Sequence, residues 1–182
     1  MPELKGFSGF RGAMRIREAV VVVLVLVAST TAAGCSVVQD ETLAMVGGPA
    51  PEARMTFASG EYLALSEFRG KRVVLGFWDT RCPHSQEVIG ELNEYARKMA
   101  KQPGIVFFSF NIDGSDRKES WLQDITRRNL RSVRHVYSGN GPLDETFLMF
   151  KLTAIPVVVV VGPNGVVEGV SDDAEVVEEF IH

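Results

Sequence analysis

Three stretches of this 182-residue chain are apolar almost without a break: 72–78 (RVVLGFW), 105–110 (IVFFSF) and 157–161 (VVVVV). A strand with one wet face alternates polar and apolar, so a strand that is apolar throughout needs cover on both sides. The cover is present between the runs. Over Ser85–Lys101 the apolar positions Val88, Ile89, Leu92, Tyr95, Ala96 and Met99 keep the spacing of a helix that faces a core, with Gly90 as its weak point. A second helix is predicted over Glu119–Arg131 and a shorter one over Leu143–Leu152. The basic residues Arg127, Arg128 and Arg131 suit a helix C-terminus, or alternatively an acidic partner. His135–Tyr137 reads as a short strand, and Gly162-Pro163-Asn164-Gly165 as a tight turn into Val166–Val170. A last helix carries Val176, Val177, Phe180 and Ile181, with Ser171 or Asp172 as its cap. Ahead of the first buried strand, Met55–Phe57 and Tyr62–Leu65 flank Ser59-Gly60 and suggest a hairpin. The class this implies is α/β: a mixed central sheet with helices on both faces and an N-terminal β-hairpin extension.

Composition narrows the function classes. A net charge of −4 lacks the basic excess that nucleic acid demands, so no nucleic-acid partner is expected. Two cysteines, Cys35 and Cys82, exclude a disulfide-dense scaffold. No metal and no cofactor are expected either. Cys82 and His84 supply only two candidate ligands where tetrahedral zinc takes three or four from the protein, and His135 and His182 have no ligand spacing to them.

The N-terminus reads as an address. Ala19–Ala28 (AVVVVLVLVA) follows Lys5, Arg11, Arg15 and Arg17 and precedes small residues, the layout of an export signal; Met14 is an alternative start. Ala32-Ala33-Gly34-Cys35 resembles a bacterial lipoprotein box, which implies lipidation at Cys35, although an uncleaved anchor also fits. The expected organisation is a targeting segment over 1–35, a flexible tether over 36–52 with Gly47, Gly48, Pro49 and Pro51, and one folded domain over 53–182. Everything after Cys35 then lies on the extracytoplasmic side of the cell envelope, held to the membrane by its N-terminus. That setting is oxidising.

The chemistry concentrates where the first buried strand gives way to the first helix, at Phe77-Trp78-Asp79-Thr80-Arg81-Cys82-Pro83-His84-Ser85. Pro83 at the first helical position puts Cys82 at the N-cap. There its sulfur faces the amides of His84 and Ser85 and the positive end of the helix dipole, which favour thiolate over thiol. Arg81 and a protonated His84 push the same way; Asp79 opposes them. His84 could equally be an ordinary exposed helix residue, and Cys82 a small buried hydrophobe.

The pattern F-W-x-T-x-C-P after a buried strand resembles the active-site segment of extracytoplasmic thioredoxin-like proteins of the TlpA type. Phe57, Gly60, Leu65 and Phe68-Arg69-Gly70-Lys71 resemble that family's lead-in, and Ile155-Pro156 before the valine strand resembles the thioredoxin-fold cis-proline. The resemblance runs from about Pro49 to the end. It implies a thioredoxin-like fold, Cys82 as nucleophile, Trp78, Thr80, Pro83, His84 and Ser85 as the surrounding motif, and Ile155 with Pro156 as the grip on a substrate backbone. The Cys-Pro-His portion also resembles the oxidising DsbA-type motif.

Two departures matter. The second cysteine of C-x-x-C is Ser85 here, and a hydroxyl cannot resolve a mixed disulfide. The helical acid six positions after the first Cys is Val88, while Glu87 points about 100° away. The expected activity is therefore monothiol exchange or isomerase-like action on an exported thiol- or disulfide-bearing protein or a small thiol, with Ser85 helping to solvate the thiolate. The competing expectations are a non-catalytic binding or chaperone module and, more weakly, a thiol peroxidase. Against the last, Thr80 lies only two positions before Cys82.

Overall fold

The computed structural model describes residues 40–181. The apolar run, the basic residues ahead of it and Cys35 lie outside the described residues. Strand β1 (Arg54–Thr56) and strand β2 (Tyr62–Ala64) form an antiparallel hairpin with Arg54 opposite Ala64. Its turn uses Gly60 at φ +88°, a left-handed conformation that glycine adopts without strain. The main sheet has five strands in the order β5-β4-β3-β6-β7. At its centre, β3 (Arg72–Trp78) pairs parallel with β4 (Ile105–Asn111) and antiparallel with β6 (Val157–Val161). Strand β5 (Arg134–Tyr137) extends it parallel to β4, and β7 (Val167–Ser171) antiparallel to β6.

The period of two along the buried strands explains their apolar runs. Val73, Leu75 and Phe77 of β3, Phe108 and Phe110 of β4, and Val157, Val159 and Val161 of β6 face one core with the hairpin residue Met55, with Phe68, and with Phe147 and Phe150. Val74 and Trp78, Phe107, and Val158 and Val160 face the other. That second core is closed by helix α2 (Pro83–Lys98) through Val88, Ile89 and Leu92, and by helix α3 (Lys118–Arg127) through Trp121. Burying both faces is what a parallel centre requires, and at about 25 cal/mol per Å² of apolar surface it is the main stabilising contribution here.

Several expected boundaries move. A short helix α1 (Asp40–Leu43) falls inside the expected tether, where Thr42 Oγ1 donates to the Lys151 carbonyl at 3.1 Å. Gly47 N donates to Val167 O, Val167 N to Gly48 O and Ala50 N to Gly165 O, so residues 47–50 pair with the start of β7. From Thr42 to Ala50 the stretch is therefore docked rather than a tether. It shows no side-chain periodicity because backbone groups do the pairing, and in doing so they cover part of a sheet edge. Helix α3 stops at Arg127, since Asn129 turns left-handed at φ +54°, and Arg128 and Arg131 lie beyond its end. The helix expected over Leu143–Leu152 is a 3₁₀ turn at Gly141–Leu143 followed by α4 (Glu145–Met149). Asp144 separates the two and caps α4 by accepting from Phe147 N at 3.0 Å. The last helical segment, Ala174–Phe180, is 3₁₀, and its cap is Asp173 rather than Ser171 or Asp172.

Candidate functional site

Register brings the site together. Trp78 at the end of β3 lies opposite Asn111 at the end of β4, and Phe77 lies opposite Val157 at the start of β6. The turn after β3, the connection after β4 and the Ile155–Pro156 peptide are thus gathered at one end of the sheet, and that peptide is cis. Pro156 is buried, and Ile155 packs half-buried against the first core.

Cys82 sits at the N-cap of α2 in extended conformation, with Pro83 opening the helix. Of the two amides expected at the sulfur, that of Ser85 reaches it, donating to Sγ at 3.5 Å. Cys82 is 9% exposed: covered, but not sealed. Ser85 departs from expectation. Its side chain is fully buried and its Oγ has no hydrogen-bond partner among the described residues, so the backbone of Ser85, not its hydroxyl, serves the sulfur. His84 is half-exposed, with Nδ1 3.9 Å from Glu87 Oε2. Val88, in the place of the helical acid, is buried in the second core, leaving no carboxylate at that position.

Trp78 lies beneath the site. Its ring is buried and its Nε1 donates to Ser109 Oγ at 2.8 Å, so it supports the turn from inside the core. Asp79, expected only to oppose the thiolate, also organises the turn. Its Oδ1 accepts the amides of both Arg81 and Cys82 at 2.8 Å, and its Oδ2 meets the Arg81 guanidinium at 3.3 Å. Thr80 is held from a distant part of the chain. Its amide donates to Asp113 Oδ2 at 3.0 Å, and its hydroxyl oxygen accepts from Arg117 Nε and Nη2 at 3.2 and 3.0 Å. Gln86 Nε2 donates to the Thr80 carbonyl at 2.6 Å, and Arg128 donates to Gln86 Oε1.

Sequence reading missed Asn111, Asp113, Arg117 and Gln86. Asn111 Nδ2 donates to Asp113 Oδ2 at 2.9 Å, and the Asp113 amide returns a bond to Asn111 Oδ1 at 3.1 Å. Arg117 Nε lies 3.2 Å from Asp113 Oδ1, which compensates a carboxylate that is wholly out of water. Burial pushes the neighbouring Tyr137 phenol up, with the Asp113 and Asp116 charges adding to it, while its hydroxyl donates to the Gly114 carbonyl at 2.7 Å. The available signal was Asn-x-Asp at the exit of a buried strand, where polar residues mark a loop beside the chemistry.

The lead-in motif proves to be a clasp. Phe68 is in the core, Arg69 donates to the Asn164 carbonyl, and the Gly70 amide donates to Pro163 O at 2.9 Å. This ties the entry of β3 to the turn between β6 and β7.

A family model described as thioredoxin-like matches residues 70–167. Thiol-disulfide oxidoreductase ResA of Geobacillus kaustophilus is 33% identical over 73 residues, or 40% of this chain and 41% of that protein. The chain thus matches about two fifths of the length of the curated relative. Among solved structures, the thioredoxin domain of a thiol-disulfide oxidoreductase from Bacteroides vulgatus superposes with a TM-score of 0.63 at 20% identity, over 75% of this chain and 98% of that one. A thiol-disulfide oxidoreductase from Bacteroides fragilis does so at 0.64 and 22% identity, over 72% and 95%. The matched span holds strand β3, the cysteine turn, helix α2 and the cis-proline, and the chain belongs to the thioredoxin-like family.

Proposed function

We propose that this chain carries out thiol-disulfide exchange as a monothiol through Cys82, on the extracytoplasmic face of a membrane to which its N-terminal segment tethers it. The Cys82 sulfur, as thiolate, attacks one sulfur of a partner disulfide; a Cys82–partner disulfide forms and the other partner sulfur leaves as a thiolate that takes a proton from water. An outside thiol then attacks the partner sulfur, and Cys82 departs as thiolate. The chain ends as it began, so it redistributes disulfides among exported proteins or small thiols without net electron transfer. Ser85 dictates that second step, since its hydroxyl cannot displace the partner.

The observation that carries this reading is Sγ of Cys82 as the N-cap acceptor of the Ser85 amide, at the end of the sheet that also holds the cis-proline. The related thiol-disulfide oxidoreductases support it. Trapping tests it: disulfide-linked species recovered from cells expressing the parent chain should be missing with Cys82→Ser, and an identical set from both ends the reading.

A second reading, a binding module whose thiol is inert, is favoured by the low exposure of Cys82 and by a Ser85 hydroxyl without a partner among the described residues. It predicts that the native chain resists alkylation at Cys82 until unfolded; modification of the folded chain within minutes excludes it.

A further inference from the structure

We infer that Asp113 and Arg117, on the connection from β4 to α3, are positioning residues that aim the Cys82 thiol by clamping Thr80. The inference rests on the exchange reading above and extends it to residues outside the cysteine motif.

The turn from Asp79 to Cys82 belongs to neither strand nor helix, so its amides need partners from elsewhere. Side-chain carboxylates supply them for three successive residues: Asp113 takes the Thr80 amide, and Asp79 takes those of Arg81 and Cys82. Asp79 belongs to the turn and moves with it, whereas Asp113 is 33 residues away and anchored to the sheet by reciprocal bonds with Asn111. Asp113 is thus the fixed post, and Arg117 doubles the hold by gripping the hydroxyl of the same threonine while pairing with Asp113. Thr80 is held at two atoms by two halves of one ion pair, two residues from the thiol.

The one amide donor to the sulfur among the described residues lies at 3.5 Å, so a displacement of the turn by ~0.5 Å is enough to lose it. A residue of purely structural importance would alter stability. A positioning residue also alters how fast the sulfur attacks in chains that remain folded.

The test follows reaction of the full chain with an excess of a small aromatic disulfide, with the adduct located by mass on the peptide containing Cys82. Asp113→Ala should slow the reaction about tenfold, within the range seen when a reacting group is displaced by an ångström or less. Asp113→Asn, which keeps an oxygen for the Thr80 amide, should recover most of that rate even if its melting temperature stays low. Arg117→Lys serves if Asp113→Ala does not fold, because it keeps the positive charge beside the buried Asp113 carboxylate while losing the forked grip of Nε and Nη2 on the Thr80 hydroxyl; a several-fold slowing is expected. Folded variants that react at the parent rate, or an Asp113→Asn chain as slow as Asp113→Ala, overturn the inference and leave the exchange reading standing. A folded parent that forms no adduct at Cys82 overturns both.

Discussion

Ser85→Cys supplies the second sulfur that the site lacks, and the structure sets how much that should change. The Ser85 side chain is fully buried, and its hydroxyl has no partner among the described residues. Such a group carries a penalty of about 1–3 kcal/mol, which a thiol, a weak donor that behaves as a small hydrophobe, largely escapes. Working against this is the larger sulfur in a packed interior, where overpacking costs a similar ~1–3 kcal/mol. The two effects nearly cancel, so the variant should fold with a stability within about 1 kcal/mol of the parent, and kinetic differences then report chemistry. The new thiol stands on the helical turn whose amide already touches Cys82 Sγ. A short tether gives an effective concentration of the order of millimolar, so resolution should outrun attack by ~1 µM external thiol about a thousandfold. With an aromatic disulfide in excess, the parent should release one aryl thiolate per Cys82 and keep the other aryl group as a stable mixed disulfide. Ser85→Cys should release two and end free of the aryl group, two hydrogens lighter at the peptide spanning 82–85. A variant that keeps its aryl adduct at Cys82 refutes the placement of these two side chains against each other, and with it the argument from Ser85 for the proposed monothiol exchange.

Three further outcomes follow from the packing and from two titrating groups. Gly76→Ala adds a Cβ that collides with Leu92 Cδ1 and lies 3.3 Å from Ile89 Cδ1, both buried under α2, and should destabilise the chain by about 1–3 kcal/mol in urea unfolding; an unchanged midpoint denies that α2 rests on this glycine. The Tyr95 phenol is pushed up to about 12, first by its hydrogen bond to Glu178 at 2.6 Å, so the folded chain holds a proton that the unfolded chain loses from its ordinary value of 10.0. The stability this provides is complete below that ordinary value and fades as pH rises through about 12; Tyr137 is raised as well, so ultraviolet titration should show more than one late tyrosine, and Tyr95→Phe should remove the step near 12. Burial holds His135 below its ordinary 6.5, against a partial offset from the Leu130 carbonyl, so the unfolded chain takes up a proton first and stability should fall as pH drops below that value. Melting curves between neutral and mildly acidic pH should show this fall, and His135→Gln should flatten it.

Much of the fold was legible because burial writes itself into local pattern. The valine run of β6 and the RVVLGFW of β3 could only be strands covered on both faces, and the i, i+3/i+4 spacing from Val88 to Met99 could only be a helix lying on them. Pro83 after Cys82 announced the N-cap for an equally local reason: a residue without an amide proton is tolerated at the first helical position. Ends were less legible. Asn129 did carry a local signal for the end of α3, since asparagine tolerates the left-handed conformation that closes a helix, whereas nothing in the local pattern of Lys151 marks it as left-handed.

What the amino-acid order determined by itself was the pair of buried faces, the cysteine at a helix start and a serine rather than a second cysteine three positions after it, since each depends on residues within one helical turn or one strand repeat. What only the tertiary structure decided was the surroundings of the thiol. Asn111, Asp113 and Arg117 reach the Thr80 turn only because β4 lies in parallel register beside β3, and residues 47–50 found their place only because β7 offered unpaired backbone. Contacts between positions some thirty or a hundred residues apart leave no periodic trace in a chain, because their spacing is set by the path of the backbone through the sheet and not by the repeat of any single element.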